Sequence, residues 1–242
     1  MNLKEVLNYR RSVRVYDKEK NIDADIVKNC IELATLAPNS SNMQLWEAYH
    51  IITPHVLDQM TRACLNQRSV STASQVVVFV TRQDLYRKRA NANIAFEHEN
   101  IQRNSPEERQ EKRIKDRLLY YGKLMPFLYA RFFGVLGFAR KLAVSTIGIF
   151  RPIVYQVSES DMRIVIHKSC ALAAQTFMIA MANEGYDTCP LEGFDSKRVK
   201  KLLKLPYRAE INMVVSCGVR KGNEGIWGER FRIPFNEVYH KI

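Results

Sequence analysis

The chain has no C-x-x-C pair, and its five cysteines, Cys30, Cys64, Cys170, Cys189 and Cys217, are scattered and odd in number. That excludes a zinc knuckle and a disulfide framework, and predicts reduced thiols in a cytoplasmic protein. Glycine is scarce, 10 in 242 residues. None of these glycines builds a G-x-G-x-x-G turn or a G-x-x-x-x-G-K-[ST] loop, which sets aside Rossmann dinucleotide domains and P-loop NTPases. The 5 histidines show no metal-ligand spacing, so no metal site is expected. The opening "MNLKEVLNYRRS" lacks the apolar run of a signal peptide, and folding is expected to start at Met1. No internal repeat, low-complexity tract or interdomain linker is found.

Acidic residues are also missing from a long stretch. From Arg117 to Ser158 inclusive there is no Asp or Glu, whereas six Lys or Arg occur among clusters such as "LMPFLYARFFGVLGF". Arg131, Arg140 and Lys141 interrupt every window of about 20 apolar residues, so a membrane-spanning helix is not predicted. The stretch suits a lid over a pocket, a surface packed on a partner subunit, or an interfacial contact with lipid; a lid or dimer-packing segment is the simpler reading.

What is present is basic. Lys and Arg number 37 against 25 Asp and Glu, a formal charge of +12, which favours nucleic acid, an anionic membrane or a phosphorylated ligand as partner. Aromatic residues are not interleaved with the basic clusters and no helix-turn-helix or RNA-binding signature appears, so nucleic acid is not expected. With 46% apolar residues the chain can bury a full core. The periodicities predict helices over 2–10, 23–36 (Asp23 as N-cap), 54–66, two in tandem over 84–121 with Ser105 capping the second, a buried one over 161–184 closed by Gly185, and a short one over 195–204. Strands are predicted at "EAYHIIT", at "SQVVVFVT", buried on both faces, and at "AEINMVVSCGV". One α+β domain over residues 1–242, with a helical apolar excursion at about 84–160, is the economical assignment.

Four segments carry candidate chemistry. In "YRRSVRVYD" three guanidinium groups, Arg10, Arg11 and Arg14, crowd around the Ser12 hydroxyl, an arrangement that grips phosphate oxygens bidentately. "APNSSNMQLW" offers Asn and Ser side chains on a Pro-broken backbone. "PLEGF" pairs Glu192 with Gly193, where backbone can approach a planar ligand. "ERFRIP" holds Arg230 and Arg232 on one side of an extended chain. Taken singly, each has a plain structural explanation: a solvated basic turn, an ordinary loop, an ordinary turn, a charged edge strand.

Their order and spacing together resemble the FMN-dependent nitroreductase family, well over residues 3–82 and 161–239 and poorly between. The resemblance implies a nitroreductase-like fold, a central mostly antiparallel sheet wrapped by helices, in an interlocked homodimer with the cofactor at the interface. It implies FMN as cofactor and NAD(P)H as reductant, with a nitroaromatic or quinone as small-molecule acceptor. Carried over, Arg10, Arg11 and Ser12, joined by Arg230 and Arg232, would hold the FMN phosphate and ribityl end. Arg14 would reach the N1/O2 edge of the ring, Ser40, Asn42 and Gln44 would line the site, and Asn66 would address the pyrimidine edge. Pro190, Leu191, Glu192 and Gly193 would cover the ring, with the backbone amide of Glu192 or Gly193 near N5. No catalytic side chain beyond the flavin is implied. The chain departs from the pattern at Ser69, where many relatives have lysine, with Arg68 beside it, and in the length of the excursion. The same scaffold also resembles dehydrogenases, dehalogenases and flavin-degrading enzymes, and a membrane-surface quinone reductase is a further alternative. Cys189, next to Pro190, reads as a small buried hydrophobe.

Overall fold

The computed structural model describes residues 1–242. Its centre is a four-stranded, wholly antiparallel sheet in the order β1-β2-β4-β3, formed by β1 (Trp46–Ile51), β2 (Gln75–Thr81), β3 (Asp187–Leu191) and β4 (Glu210–Gly218). The run Gln75 to Thr81 is buried throughout because β2 is flanked by strands on both edges and covered on both faces. Its side chains alternate between two cores. Val77 and Phe79 join Val215 and Cys217 against α2 (Ala24–Ala34) and α9 (Glu159–Asn183). Val76, Val78 and Val80 join Val214 against α3 (Pro54–Ala63), α4 (Arg68–Ser71) and α10 (Ser196–Leu202).

Sequence chemistry sets the element ends. Asp23 caps α2 by accepting from the Asp25 amide at 2.8 Å. Ser158 and Asp161 form a capping box at the start of α9, and Gly185, with φ +77, closes it. α9 is not buried all round as its composition suggested: Ile164 and Leu172 are about half exposed on its outer side. Strand β3 is absent from the sequence prediction; it is short and contains Pro190, tolerated because β3 is an edge strand whose ladder runs only along β4, its other side meeting the chain at a single bridge from Ser12 to Thr188.

The excursion is helical. α5 (Tyr86–Asn104) and α6 (Glu107–Leu119) form the expected tandem, but Ser105 does not cap α6. Its amide donates to Ile101 at the end of α5, its hydroxyl accepts from Arg113, and Pro106 occupies the N-cap position. A π-helical turn at Tyr120–Leu124 leads to α7 (Met125–Tyr129) and α8 (Val135–Gly148). Tyr121, Met125 and Tyr129 pack with Met43, Leu45, Met162 and Ile166 in a third core, which fastens the first half of the excursion to the body. α8, with 14 residues, is shorter than a bilayer-spanning helix needs; α9 has the length and apolarity, but half of its apolar window is buried in this fold.

Candidate functional site

The two ends of the chain meet. α1 (Leu3–Tyr9) leads into the segment 10–16, where Val13 and Tyr16 are buried and so pin the backbone between the sheet and the glycine-containing loop 222–228. Ser12 bridges Thr188 of β3, and the Val13 amide donates to the Thr188 carbonyl at 3.2 Å. On the other side the Arg14 amide donates to the Gly225 carbonyl at 2.8 Å. A Cβ on Gly225 would lie 2.5 Å from the Val15 oxygen and 2.8 Å from Val13, so only glycine permits this approach. Anchored in this way, alternate residues throw Arg10, Ser12 and Arg14 outward.

The C-terminal segment closes the other wall. Arg230 donates to the carbonyls of Leu7 at 2.9 Å, Asn8 at 3.2 Å, and Arg10, covering the carbonyl end of α1. Arg11 donates to the Gly228 carbonyl at 2.8 Å. Between these contacts lies a cavity of about 370 Å³ lined by Arg10, Arg11, Ser12, Arg14, Arg230 and Arg232, with Trp227, Phe231, Glu224 and Glu229 on its rim. The segment 229–234 forms no strand, and Arg232 donates to its neighbour's carbonyl, Phe231 O.

The field inside is positive and only partly compensated. Burial first, and then Arg230 and Arg232, push the Arg10 guanidinium below its ordinary value; burial, Arg232 and Arg11 do the same to Arg230. Five guanidinium groups around one hydroxyl make a donor set suited to a phosphomonoester, which accepts several charge-assisted bonds and relieves the mutual repulsion.

The "PLEGF" turn adjoins this cavity through β3. Leu191 is buried in the core under the sheet, so only its backbone is available, whereas Glu192 and Gly193 are exposed. Asn66 is exposed in a left-handed conformation, φ 56, and the next residue, Gln67, donates to the Gly193 carbonyl at 2.7 Å. Gln67, unremarked in the sequence, thus ties the Asn66 loop to the turn; it had no signal there, because its acceptor lies 126 positions away. Ser69 is buried beside Cys189, while Arg68 is exposed and faces Glu224 at 3.9 Å across the glycine-containing loop. Burial pushes the Cys189 thiol up despite Arg14 and Arg10, which suits a buried apolar thiol rather than a nucleophile.

Ser40, Asn42 and Gln44 lie in a different group. Ser41, Asn42 and Gln44 all have positive φ, and the loop is tied to the excursion and α9. Asn42 donates to Asn93 of α5 at 3.2 Å, Asn93 returns a bond to the Asn42 carbonyl at 3.0 Å, and the Ser41 hydroxyl meets that of Tyr120 in the π-helical turn at 2.7 Å. Gln44 donates to the Asn42 side chain at 3.1 Å, and the Ser40 amide donates to Ser169 at 3.2 Å. No hydrogen bond or ion pair joins this loop to the arginine cavity within the chain.

A second charged cluster sits at the root of α8. Glu210, at the start of β4, faces Arg131 at 3.4 Å and Arg163 and His167 of α9. The His167 hydrogen bond, then Arg163, hold the Glu210 carboxyl down to about 2 against its partial burial. Arg131, Arg163 and Glu210 line a cavity of about 550 Å³ with Arg208, Phe132 and Phe133.

Comparison with known proteins agrees with this architecture. The model of the nitroreductase family matches residues 7–219. Protein DrgA of Synechocystis sp. is 25% identical over 220 residues, covering 91% of this chain and 85% of that protein. MhqN of Bacillus subtilis, provisionally named an NAD(P)H nitroreductase, is 22% identical over 96% of this chain and 95% of its own length. Among solved structures, a protein of Exiguobacterium sibiricum in complex with FMN superposes with a TM-score of 0.70 at 20% identity, covering 100% of this chain and 98% of that one. The helix-wrapped antiparallel sheet expected from the four motifs is the fold observed, and with a family model running from the end of α1 to the end of β4 the chain belongs to the nitroreductase family.

Proposed function

We propose that the protein is an FMN-dependent oxidoreductase that passes hydride from NAD(P)H to a nitroaromatic or quinone acceptor. The observation that carries this is the convergence of Arg10, Arg11 and Arg14 with Arg230 and Arg232 on one cavity around Ser12. When bound, FMN supplies the hydride exchange at N5, and the protein supplies position and electrostatics.

Arg10, Arg11, Ser12, Arg230 and Arg232 would hold the phosphate and ribityl end. Arg14, exposed and unpaired on the same segment, would place a fixed cation at the N1/O2 edge, favouring the reduced cofactor. Asn66, fixed to the turn through Gln67, would address the pyrimidine edge. Pro190, Leu191, Glu192 and Gly193 would cover the ring with backbone, and the amide of Glu192 or Gly193 would sit near N5. No acid or base side chain is needed for hydride transfer itself.

A homodimer completes the site in this reading. The loop with Ser40, Asn42 and Gln44 is too firmly tied to α5 and α9 to join its own arginine cavity, but a second copy can present it. The arm beyond Arg230 has little of its own body to pack on: Phe231, Ile233, Phe235, Val238 and Tyr239 are all at least half exposed. Such an apolar arm is covered by wrapping a partner.

The test separates phosphate recognition from ring recognition. Purified protein should be yellow or become so with FMN, should bind FMN much more tightly than riboflavin, and should oxidise NADH or NADPH when a quinone or nitroaromatic is added. Arg10→Gln should lower FMN affinity by about tenfold or more while leaving the weak riboflavin binding alone. Equal affinity for both flavins, or no flavin binding, would end this reading.

A further inference from the structure

α8 is an inverted helix. Its inner side is joined to the body by polar and glycine contacts: Arg140, almost fully buried, donates to the carbonyls of Phe127 at 2.7 Å, Leu128, and Ala130 at 3.2 Å, and Gly137 lies so close to the Glu159 amide that a Cβ there would stand 2.7 Å from it. Glu159 in turn accepts from the amides of Phe132 at 3.0 Å and Gly134 at 3.1 Å. The outer side and the chain just before and after the helix carry the apolar residues. Phe132, Phe133, Phe138, Leu142, Phe150 and Val154 are exposed, Phe133 to 95% and Phe138 to 73%. A helix in contact only with water has the opposite polarity. Phe133 is held outward in a left-handed turn, φ 48, a conformation costly for a bulky residue and maintained here by the Glu159 bonds on either side.

The charge around this face identifies what covers it. From 118 to 158 there is no carboxylate in the sequence. Arg151 stands between Phe150 and Val154 in the sequence without an acidic partner, and at the other edge Arg131, Arg163 and Arg208 outnumber Glu159 and Glu210 in the cavity that also contains Phe132 and Phe133. Glu210 compensates Arg131 and Arg163, but Arg208 has no ion pair. Exposed aromatic and aliphatic bulk rimmed by cations matches the boundary between anionic headgroups and acyl chains. A two-fold contact with a second copy of the same face would instead bring like charges together.

We infer that the segment 131–155 is a docking surface for an anionic lipid bilayer, with Phe133, Phe138 and Phe150 inserted and Arg151 and Arg208 at headgroup level. The surface shares no lining residue with the arginine cavity, and the inference does not rest on the flavin reading. The excursion does touch the loop of Ser40, Asn42 and Gln44 through Asn93 and Tyr120, so the docked face and that loop share one support.

The experiment is flotation of the full-length protein with phosphatidylcholine vesicles, with and without phosphatidylglycerol. Binding is expected with phosphatidylglycerol, weakened by salt, and at least about tenfold weaker without it. The pair Phe133→Asp and Phe138→Asp should weaken that binding by about tenfold or more without lowering the melting temperature, because both side chains are exposed and Asp tolerates the left-handed turn at 133, whereas Leu36→Asp, exposed just beyond the C-terminal end of α2, should not weaken it. Arg151→Glu should weaken binding only to the phosphatidylglycerol vesicles. No flotation with either vesicle, or flotation undiminished by the paired substitution, overturns the inference. So does a paired variant that alters the oligomer mass without altering lipid binding, which would mean that a second copy covers this face.

Discussion

Replacing Glu210 by Gln removes the one carboxylate on which the excursion, α9 and the sheet converge. Arg131 comes from the excursion, Arg163 and His167 from α9, and Glu210 from β4. Holding a carboxyl at about 2 instead of its usual value near 4.5 corresponds to about 3 kcal/mol at 1.36 kcal/mol per tenfold. The side chain is 27% exposed, and solvent screening brings the expected contribution to about 1–2 kcal/mol. In a chain of this size that lowers the melting temperature of Glu210→Gln by roughly 2–8 °C. The sign of the pH dependence follows from the depressed carboxyl. Its stabilisation is complete above its ordinary value near 4.5 and is lost as pH falls toward 2, so the gap between wild type and variant should be full at neutral pH and close in acid. Thermal or urea unfolding of both proteins across that range measures the gap. A gap that stays constant from neutral pH down to about 2, or no gap at neutral pH, would refute the electrostatic account of this cluster.

Gly225→Ala should cost about 1–3 kcal/mol, because its Cβ meets the Val15 carbonyl and Val13, and should lift the glycine-containing loop off the arginine segment. Urea unfolding and quenching of FMN fluorescence read the two effects, and unchanged FMN affinity would show that the loop does not shape the cavity. Asn93→Ala deletes the buried amide that exchanges bonds with Asn42, at a cost of about 1–3 kcal/mol. Hydrogen exchange should then rise over residues 39–44 and stay unchanged at Arg10 to Arg14; uniform acceleration would mean global destabilisation only.

Elements defined by local spacing were legible in the sequence: Asp23 and the apolar face of α2, the buried run of β2, the tandem helices of the excursion. Those defined by distant partners were not. β3 has five residues and a proline, and only its bonds to β4 make it a strand. Ser105 followed by Pro106 looked like a helix start, but Ser105 ends the preceding helix and bonds Arg113 instead. Of the candidate site residues, those at the two ends of the chain were read as a phosphate cradle, and the structure gathers them around one cavity. The sequence could not reveal that Arg230 also spends donors on the carbonyl end of α1, since backbone acceptors leave no trace in residue identity. Nor could it reveal that Ser40, Asn42 and Gln44 hold to the excursion rather than to the arginines. The outward polarity of α8 was invisible as well, because an apolar helix reads the same whichever side faces the body.

The bonds from Arg230 to the carbonyls of Leu7, Asn8 and Arg10 also impose an order of events during biosynthesis. The hydrophobic interior can begin to assemble while the ribosome is still elongating, because β1, β2 and their covering helices precede the last strand. The arginine cavity cannot, since one of its walls follows β4 in the chain and must travel back to the first helix. A nascent or C-terminally clipped polypeptide therefore gathers a core before the arginines of the two distant segments can meet.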